Sequence, residues 1–364
     1  MRAAVIAAQK KLGRRTVAVL PVHYPRELFT AMDVHTVEMW GPPGPPRGPE
    51  AGRIPSYVCA VVRNAMAFLA SGGADAADAV LFPHTCDSLQ GLATLAPDLG
   101  GWEKPSFRYH PPKGEDRRSA RAFLRAELER LAGEIARWTG RSLSVPRLAE
   151  AVALHADIDR LRGSFLCRRA FLDMTDAELY RLLRRGEFLW PGDHLSELRA
   201  ATHRLGKEPV QRGVPLMITG YVPEPMSLFD RLGSAGAYVV ADDYAAVGRR
   251  LPIDSPAGGG DPFAALVDKT FSMPPCTTRA ADQGRRMDFL MEKYRRSNAA
   301  GVIVHIPKFC EPEAFDVPAV LRRFAEIGAP LLLLEGELET DLSAQAGTRL
   351  EAFVEVVSAR RRSP

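Results

Sequence analysis

The sequence predicts an α/β protein built from two parallel-sheet, Rossmann-like (flavodoxin-like) domains, which are related as half-repeats and joined by a helical linker region. The chain has 364 residues, more than one compact core usually holds, so two domains are expected. Short apolar strands alternate with helical stretches in both halves, in the order β-α-β-α-β, which indicates parallel sheets with right-handed crossovers. We therefore divide the chain into an N-terminal α/β domain (residues 1–112), a helical linker or insert (113–210) and a C-terminal α/β domain (211–364).

The elements of the first half follow from local patterns. Residues 16–20 form a β-branched strand, which precedes an amphipathic helix at 26–32 and a second strand at 37–40. Residues 41–52 contain too much Pro and Gly for regular structure. A helix from about residue 57 to residue 70 then leads into a third strand, at 79–82.

The second half repeats this order, and the segment between the halves differs from both. Its apolar residues recur at helical spacing, which predicts packing helices at 119–138, 146–161 and 176–185. In the second half we predict strands at 215–219, 238–241, 301–306 and 330–335 and helices at 226–232, 280–296, 317–327 and 347–357.

Composition and charge exclude several classes of protein. The net charge is +4 with scattered basic residues, so no continuous nucleic-acid-binding surface is predicted. The N-terminus lacks the apolar region of a signal peptide, and no apolar run is long enough to span a bilayer. We therefore expect a cytoplasmic protein that acts without nucleic acid or membrane. Thiols stay reduced there, so the five cysteines argue against a disulfide framework and leave packing, metal binding or catalysis.

Four of the five cysteines occupy matching places in the two halves. Cys86 and Cys310 each follow an apolar strand, in polar, Pro-containing segments that we expect to be loops at the sheet edge. Cys59 and Cys276 each follow a Pro-containing entry and precede a helical stretch. Open α/β sheets bind ligands in the crevice at the carboxyl ends of their strands, so these thiols are well placed for metal chemistry. Cys167, among apolar neighbours, is interpreted as a buried packing thiol.

Soft thiolates select zinc, copper(I) or an iron–sulfur cluster. The chain contains no C-x2-C run of the kind found in zinc knuckles and ferredoxins. Ligands that are far apart in the sequence but converge between two domains suit a site that opens toward a substrate. Three thiolates would leave one iron of a [4Fe-4S] cluster free for a substrate oxygen, whereas four would close it. Cys276 as a possible fourth ligand decides between these cases.

The motifs around these cysteines resemble those of the 2-hydroxyacyl-CoA dehydratase and benzoyl-CoA reductase family, with closest likeness to the benzoyl-CoA reductase branch. The resemblance covers nearly the whole chain. It rests on HYPRELF (residues 23–29), YVC (57–59), PHTCDSLQ (83–90), VVADD (239–243), KFCEPE (308–313) and GTRLEAF (347–353).

The resemblance implies an iron–sulfur subunit with one [4Fe-4S] cluster per chain, held by Cys59, Cys86 and Cys310. It also implies a paralogous subunit in a heterodimer, or a second copy, and an acyl-CoA substrate. A separate ATP-dependent activator would donate low-potential electrons, and the chain itself has no G-x-x-x-x-G-K-[ST] phosphate loop. The electrons would pass to the CoA thioester by radical, ketyl-type chemistry. The outcome would be 2-hydroxyacyl-CoA dehydration or reduction of an aromatic ring.

Other side chains near the predicted site are candidates for catalysis and binding. His84, Glu311 and His23 are placed to donate or move protons. Arg249, Arg250 and Lys308 could contact CoA phosphates. Two alternative functions remain open from the sequence. One is an electron-relay or scaffold subunit whose paralogous partner carries the reactive cluster, and the other is a zinc-structural protein.

Overall fold

The computed structural model describes residues 2–40, 44, 54–210, 213–253 and 260–362. Apart from Gly44, the Pro- and Gly-rich segment at 41–52 lies outside the described residues. Within the described ranges, no helix combines the length and the apolarity that crossing a membrane requires.

The first sheet is parallel and has the strand order β2-β1-β3-β4. Its strands and the helices of this region alternate along the chain, and the central strands are buried on both faces, as parallel sheets require. The elements are α1 (Arg2–Lys11), β1 (Arg15–Val19), α2 (Arg26–Ala31), β2 (Val34–Glu38), α3 (Ala60–Ala70), β3 (Ala79–Pro83), α4 (Asp87–Gly100) and β4 (Ser106–Tyr109).

Four α-helices follow in the described residues before the second sheet begins. They are α5 (Arg118–Thr139), α6 (Val145–Cys167), α7 (Asp176–Arg184) and α8 (Pro191–Ala201). Helix α5 packs on the first sheet, because its Leu124 and Leu128 share one apolar cluster with Val17 of β1. Leu266 and Val267, from a helix much later in the chain, complete the same cluster. The helical segment is therefore packed into the molecule rather than suspended between two domains.

The second sheet repeats the topology of the first, with the parallel order β6-β5-β7-β8. This identical order confirms the predicted α/β fold of two Rossmann-like half-repeats. The elements are β5 (Val214–Gly220), α9 (Ser227–Ser234), β6 (Ala237–Tyr244), α10 (Pro262–Ser272), α11 (Gln283–Ser297), β7 (Gly301–Pro307), α12 (Glu311–Glu326), β8 (Leu331–Gly336) and α13 (Ala344–Arg362). The proposed domain boundaries, at residues 112 and 210, stay a prediction.

The sequence patterns identified most elements and missed some. The second strand is Val34–Glu38 rather than 37–40, and α12 begins at Glu311 rather than near 317. Pro312 in the first turn of α12 costs no hydrogen bond, because the first amides of a helix have no intrahelical acceptor. The sequence patterns did not predict strand β4 or the helices α1, α4, α8 and α10. Helix α4 contains Pro97 and β4 has only four residues, so their local signals are weak.

A buried ion pair connects the two sheets near their carboxyl edges. Arg250, which follows β6, donates to Glu38 at the end of β2, with Nη2 2.6 Å from Oε1. Its guanidinium also donates to the carbonyl of Val22, which follows β1. Arg26 contacts the same carboxylate, so one fully buried acid holds two cations. Burial opposes ionisation of Glu38, but Arg250 and Arg26 outweigh it and lower the pKa of this carboxyl from 4.5 to about 2.

We predict that Glu38→Gln lowers the free energy of unfolding by about 3–5 kcal/mol at pH 7, because it leaves the buried Arg250 and the half-buried Arg26 without their carboxylate. Urea unfolding followed by circular dichroism measures this. The pKa of Glu38 is lower in the folded state, so its contribution is complete above about pH 4.5 and is lost as the pH falls toward 2. The difference in the free energy of unfolding between wild type and variant should therefore decrease as the pH falls from about 4.5 toward 2.

The matched control is Asp230→Asn, which removes the acid of an exposed pair with Arg181 whose N···O distance is 3.8 Å. This change should alter stability by less than about 1 kcal/mol. Equal stability of the Glu38 and Asp230 variants at pH 7 would contradict the role given to Glu38.

Candidate functional site

Three cysteines each occupy the residue immediately before a helix. Cys59 precedes α3, Cys86 precedes α4, and Cys310 precedes α12. None of the three sulfurs accepts a capping hydrogen bond, but backbone amides of the first turns act to lower the pKa of the thiols: Val61 and Val62 for Cys59, Ser88 and Leu89 for Cys86, and Glu313 for Cys310. Helix N-termini favour negative charge, so each helix is oriented to stabilise a thiolate.

The same three cysteines line one pocket of about 320 Å³, a volume that includes the part open to solvent. Cys59 and Cys86 precede helices that belong to the first sheet's half of the chain, and Cys310 follows β7 of the second sheet. The pocket therefore lies between the two halves. Its wall is mainly apolar and includes Tyr221 and Phe309. Cys59 and Cys310 are buried, whereas Cys86 is half-buried.

Burial controls the ionisation of these thiols when no cation is bound. It raises the pKa of Cys59 to about 12, and repulsion from Cys86 adds to this. Burial likewise raises the pKa of Cys86, and it raises the pKa of Cys310 well above the usual range. The helix amides lower the pKa of these thiols, but the effect of burial is larger. Because a bound metal deprotonates a coordinating thiol, a metal group would reverse this balance.

The donor set fits an iron–sulfur cluster. It consists of soft sulfur donors in a largely apolar pocket, and iron–sulfur clusters are held by cysteine thiolates. In the described ranges, no group of three or more His, Cys, Asp or Glu side chains converges on a position for a single metal ion. Each cysteine of a cluster binds its own iron, so cluster ligands need not converge on one point.

Cys276 lies outside the lining of this pocket and has other partners. It is fully buried. Its Sγ accepts a hydrogen bond from Arg249 Nη1 at 3.3 Å and lies 3.0 Å from Thr278 Oγ1. The same guanidinium makes two 2.8 Å bonds to the Glu313 carboxylate in the first turn of α12. Ligation by Cys276 stays a prediction, and its contacts connect it to the helix that begins after Cys310.

The three predicted proton carriers occupy different environments. Glu311 lines the three-cysteine pocket. His84 Nε2 lies 3.4 Å from Asp87 Oδ1. His23 is buried, and its Nε2 lies 3.1 Å from Thr278 Oγ1. Burial lowers the pKa of His23 well below 6.5. Of these three side chains, the described lining of the pocket includes only Glu311.

Sequence reasoning missed three residues at this site. Tyr221 and Thr278 line the pocket, and Lys113 Nζ donates to the carbonyls of Thr85 at 2.8 Å and Thr278 at 2.6 Å. Lys113 thereby joins the segment before Cys86 to the second half of the chain. Tyr221 directly follows β5, and its position after a central strand was the signal that could have identified it.

Two expectations are corrected. Arg249 and Arg250 are buried, and their guanidinium groups are engaged by Glu313 and Glu38, so they are unavailable to CoA phosphates. Cys167, interpreted as a buried packing thiol, is exposed. It is the last residue of α6, where the apolar neighbours in the sequence point to other faces of the helix.

Comparisons with known proteins identify the family of the chain. A family model described as 2-hydroxyglutaryl-CoA dehydratase, D-component, matches residues 21–357. The chain is 25% identical to the beta subunit of lactoyl-CoA dehydratase of Anaerotignum propionicum, with 95% of this chain and 92% of the relative covered. It is 21% identical to the beta subunit of (R)-2-hydroxyglutaryl-CoA dehydratase of Acidaminococcus fermentans, with 96% and 94% covered. It is also 25% identical to one of the subunits of benzoyl-CoA reductase of Thauera aromatica, with 92% and 90% covered. Identity therefore does not separate the dehydratase and reductase branches.

We predict that iodoacetamide labels Cys167 first in the metal-free native protein. The exposed thiol reacts freely, whereas burial and a raised pKa keep Cys59 and Cys310 protonated and inaccessible at neutral pH. Mass spectrometry of peptides taken over time measures the labelling of each site. Cys167→Ser should remove the fast phase, and all remaining thiols should react after unfolding. Fast labelling of Cys59 in the native protein would contradict the buried pocket.

Proposed function

The chain belongs to the 2-hydroxyglutaryl-CoA dehydratase D-component family, and on that basis we propose that it is a [4Fe-4S]-containing subunit of an acyl-CoA dehydratase or reductase complex. The observation that carries this proposal is the pocket lined by three cysteines, each at a helix N-terminus. Cys59, Cys86 and Cys310 would hold one cluster per chain. When bound, the cluster would supply low-potential one-electron transfer to a CoA thioester in radical chemistry.

The proposal gives the surrounding residues separate roles. The apolar wall with Tyr221 and Phe309 excludes water from the sulfur ligands, and solvent exposure is one determinant of cluster potential. Glu311 lines the pocket and is the proposed proton carrier there. His84 and His23 are proton carriers at a greater distance, since neither lines the described pocket. Arg249 positions Cys310 indirectly, because it fixes Glu313 in the helix that begins after that cysteine.

The proposal also requires other proteins. The relatives are each named as one subunit of a larger enzyme, so we propose that this chain assembles with a paralogous subunit in a heterodimer or with a second copy. The sequence has no phosphate-binding loop, so an ATP-dependent activator is proposed as electron donor. We assign the protein to the cytoplasm, where thiols stay reduced. The identity of the acyl-CoA is left open.

A second candidate function is an electron-relay or scaffold subunit whose paralogous partner carries the reactive cluster. The volume of the three-cysteine pocket favours it. Only about 10 Å³ of it is open to the centre of a water molecule, roughly the space of one water, which leaves little room for an acyl group beside the cysteines. Substrate would then react in the partner subunit, and this chain would transfer the electron.

We predict about four iron atoms per chain in anaerobically purified protein, the content of a single [4Fe-4S] cluster. Cys59→Ala, Cys86→Ala and Cys310→Ala should each lose most of this iron and the visible absorption, because each removes one thiolate ligand. Cys167→Ala is the matched control and should keep the full content, since that thiol is exposed and does not belong to the described lining of the pocket. Iron-free wild-type protein, or zinc in its place, would refute the cluster assignment.

We further predict that adding an acyl-CoA to the dithionite-reduced chain changes its electron paramagnetic resonance spectrum if substrate binds at this cluster. Lactoyl-CoA and benzoyl-CoA serve as probes, with free CoA as the control for binding of the nucleotide portion. An unchanged spectrum of the chain alone, together with a change once the partner subunit is present, would favour the relay function.

A further inference from the structure

A second cavity, distinct from the three-cysteine pocket, lies at the carboxyl edge of the first sheet. About 70 Å³ of it is open to the centre of a water molecule, room for roughly five waters, within about 970 Å³ of space that includes open solvent. The loop after β1, the helices α2, α6 and α10, and the segment that leads into α8 form its walls. Crevices at the carboxyl ends of parallel strands are the usual ligand sites of such folds. No cysteine belongs to the described lining.

The charged side chains of this lining are unbalanced. Five are cationic (Arg26, Arg162, Arg250, Lys269 and Arg279) and two are anionic (Glu27 and Asp159). Lys269 is neutralised by both acids, with Nζ 2.7 Å from Glu27 and 2.6 Å from Asp159. Arg26 and Arg250 share Glu38, which lies behind the wall. These three acids therefore already pair with Lys269, Arg26 and Arg250. The lining of the cavity keeps a net positive charge.

Arg162 and Arg279 are the weakly compensated cations of this lining, and the more buried of the two is Arg162. It is 6% exposed, and its nearest ion-pair contact is 3.7 Å to Asp159, an acid that Lys269 already holds. Its Nε is buried without a hydrogen-bond partner among the described residues. Burial lowers the pKa of Arg162 to about 10, with Asp159 opposing this only partly. Arg279 likewise leaves Nη1 buried and unpaired in the described structure.

A buried cation without full compensation costs several kcal/mol of stability. Such a group is expected where an anion completes the site. The rest of the wall is largely apolar and includes Tyr24, Tyr109, Ile158, Leu189 and Leu266. Burial lowers the pKa of His155 to about 4 and of His194 to about 3, so both imidazoles are neutral at pH 7. A ligand that matches this lining has one negative group and an apolar body.

We infer that this cavity is a binding site for a small organic carboxylate, with Arg162 receiving the carboxylate and the apolar wall receiving the carbon skeleton. The inference stands apart from the iron–sulfur proposal, since it uses none of the cysteines. The two sites are nevertheless neighbours. His23 lines this cavity, and its hydrogen-bonding partner Thr278 lines the three-cysteine pocket.

Isothermal titration calorimetry of the purified full-length chain at pH 7 and constant ionic strength tests the inference. The probes are benzoate, the neutral isostere benzamide, and inorganic phosphate. Benzoate should bind saturably and at least tenfold more tightly than either of the others, because benzamide lacks the charge and phosphate lacks the apolar body. Absence of saturable benzoate binding, or equal binding of benzamide, would overturn the inference. Phosphate binding as tight as benzoate would overturn the assignment to an organic acid.

Two variants in helix α6 test whether benzoate binds at Arg162. Arg162→Gln should weaken benzoate binding at least tenfold, while its thermal unfolding midpoint stays equal to or above that of wild type, because the variant removes a poorly compensated buried charge. The matched control is Arg160→Gln. Arg160 lies on the same helix and contacts the acid three residues before it at 2.7 Å, but it is exposed, so the variant should bind benzoate as wild type does. Unchanged binding by Arg162→Gln, or a lowered unfolding midpoint, would assign Arg162 a structural role and refute the inference.

Discussion

The candidate site depends on two consecutive arginines, of which Arg250 joins the carboxyl edges of the two sheets and Arg249 fixes a helix of the second half. Arg250 reaches Glu38 and the loop after β1, while Arg249 fixes Glu313 at the start of α12. Both guanidinium groups are buried, so their acids are needed to offset desolvation. The turn is tight, and a Cβ at Gly248 would overlap Asp242. The result is that Cys310 of one sheet faces Cys59 and Cys86 of the other.

The electrostatics of the three-cysteine pocket oppose a free thiolate and favour a coordinated one. Burial and mutual repulsion raise the pKa values of the thiols, whereas the helix amides can stabilise sulfur that carries charge. A bound metal cluster would offset the rise in the pKa of the thiols, and the helix amides would then stabilise the thiolates that coordinate it. The cavity that contains Arg162 presents the reverse situation, since a buried cation there lacks a sufficient anion. The thiols of the first site stay protonated until a metal group binds, whereas the second site already contains a charge that the protein alone does not balance.

Family membership and geometry contribute different parts of the functional assignment. The family match extends over residues 21–357 and identifies the class of acyl-CoA dehydratases, but relatives of the dehydratase and reductase branches have similar identities to this chain. The geometry identifies which thiols share a pocket and how small that pocket is. It also separates this pocket from the larger cavity at the edge of the first sheet. The proposal of a partner subunit rests on the subunit names of the relatives, and the proposal of a relay role rests on the size of the pocket.

The sequence by itself determined the fold class, the order of the main strands and the placing of Cys86 and Cys310 after equivalent strands. Local periodicity and composition carry these features, and parallel strands necessarily bring their carboxyl ends to one edge. Cys59 and Cys276 have similar local sequences, each with a preceding Pro-containing entry, so local patterns could not distinguish them. The tertiary structure did, because Arg249 contacts the sulfur of Cys276 from 27 positions away along the chain. Long-range contacts of this kind decide which buried thiols share a pocket, and no local pattern encodes them.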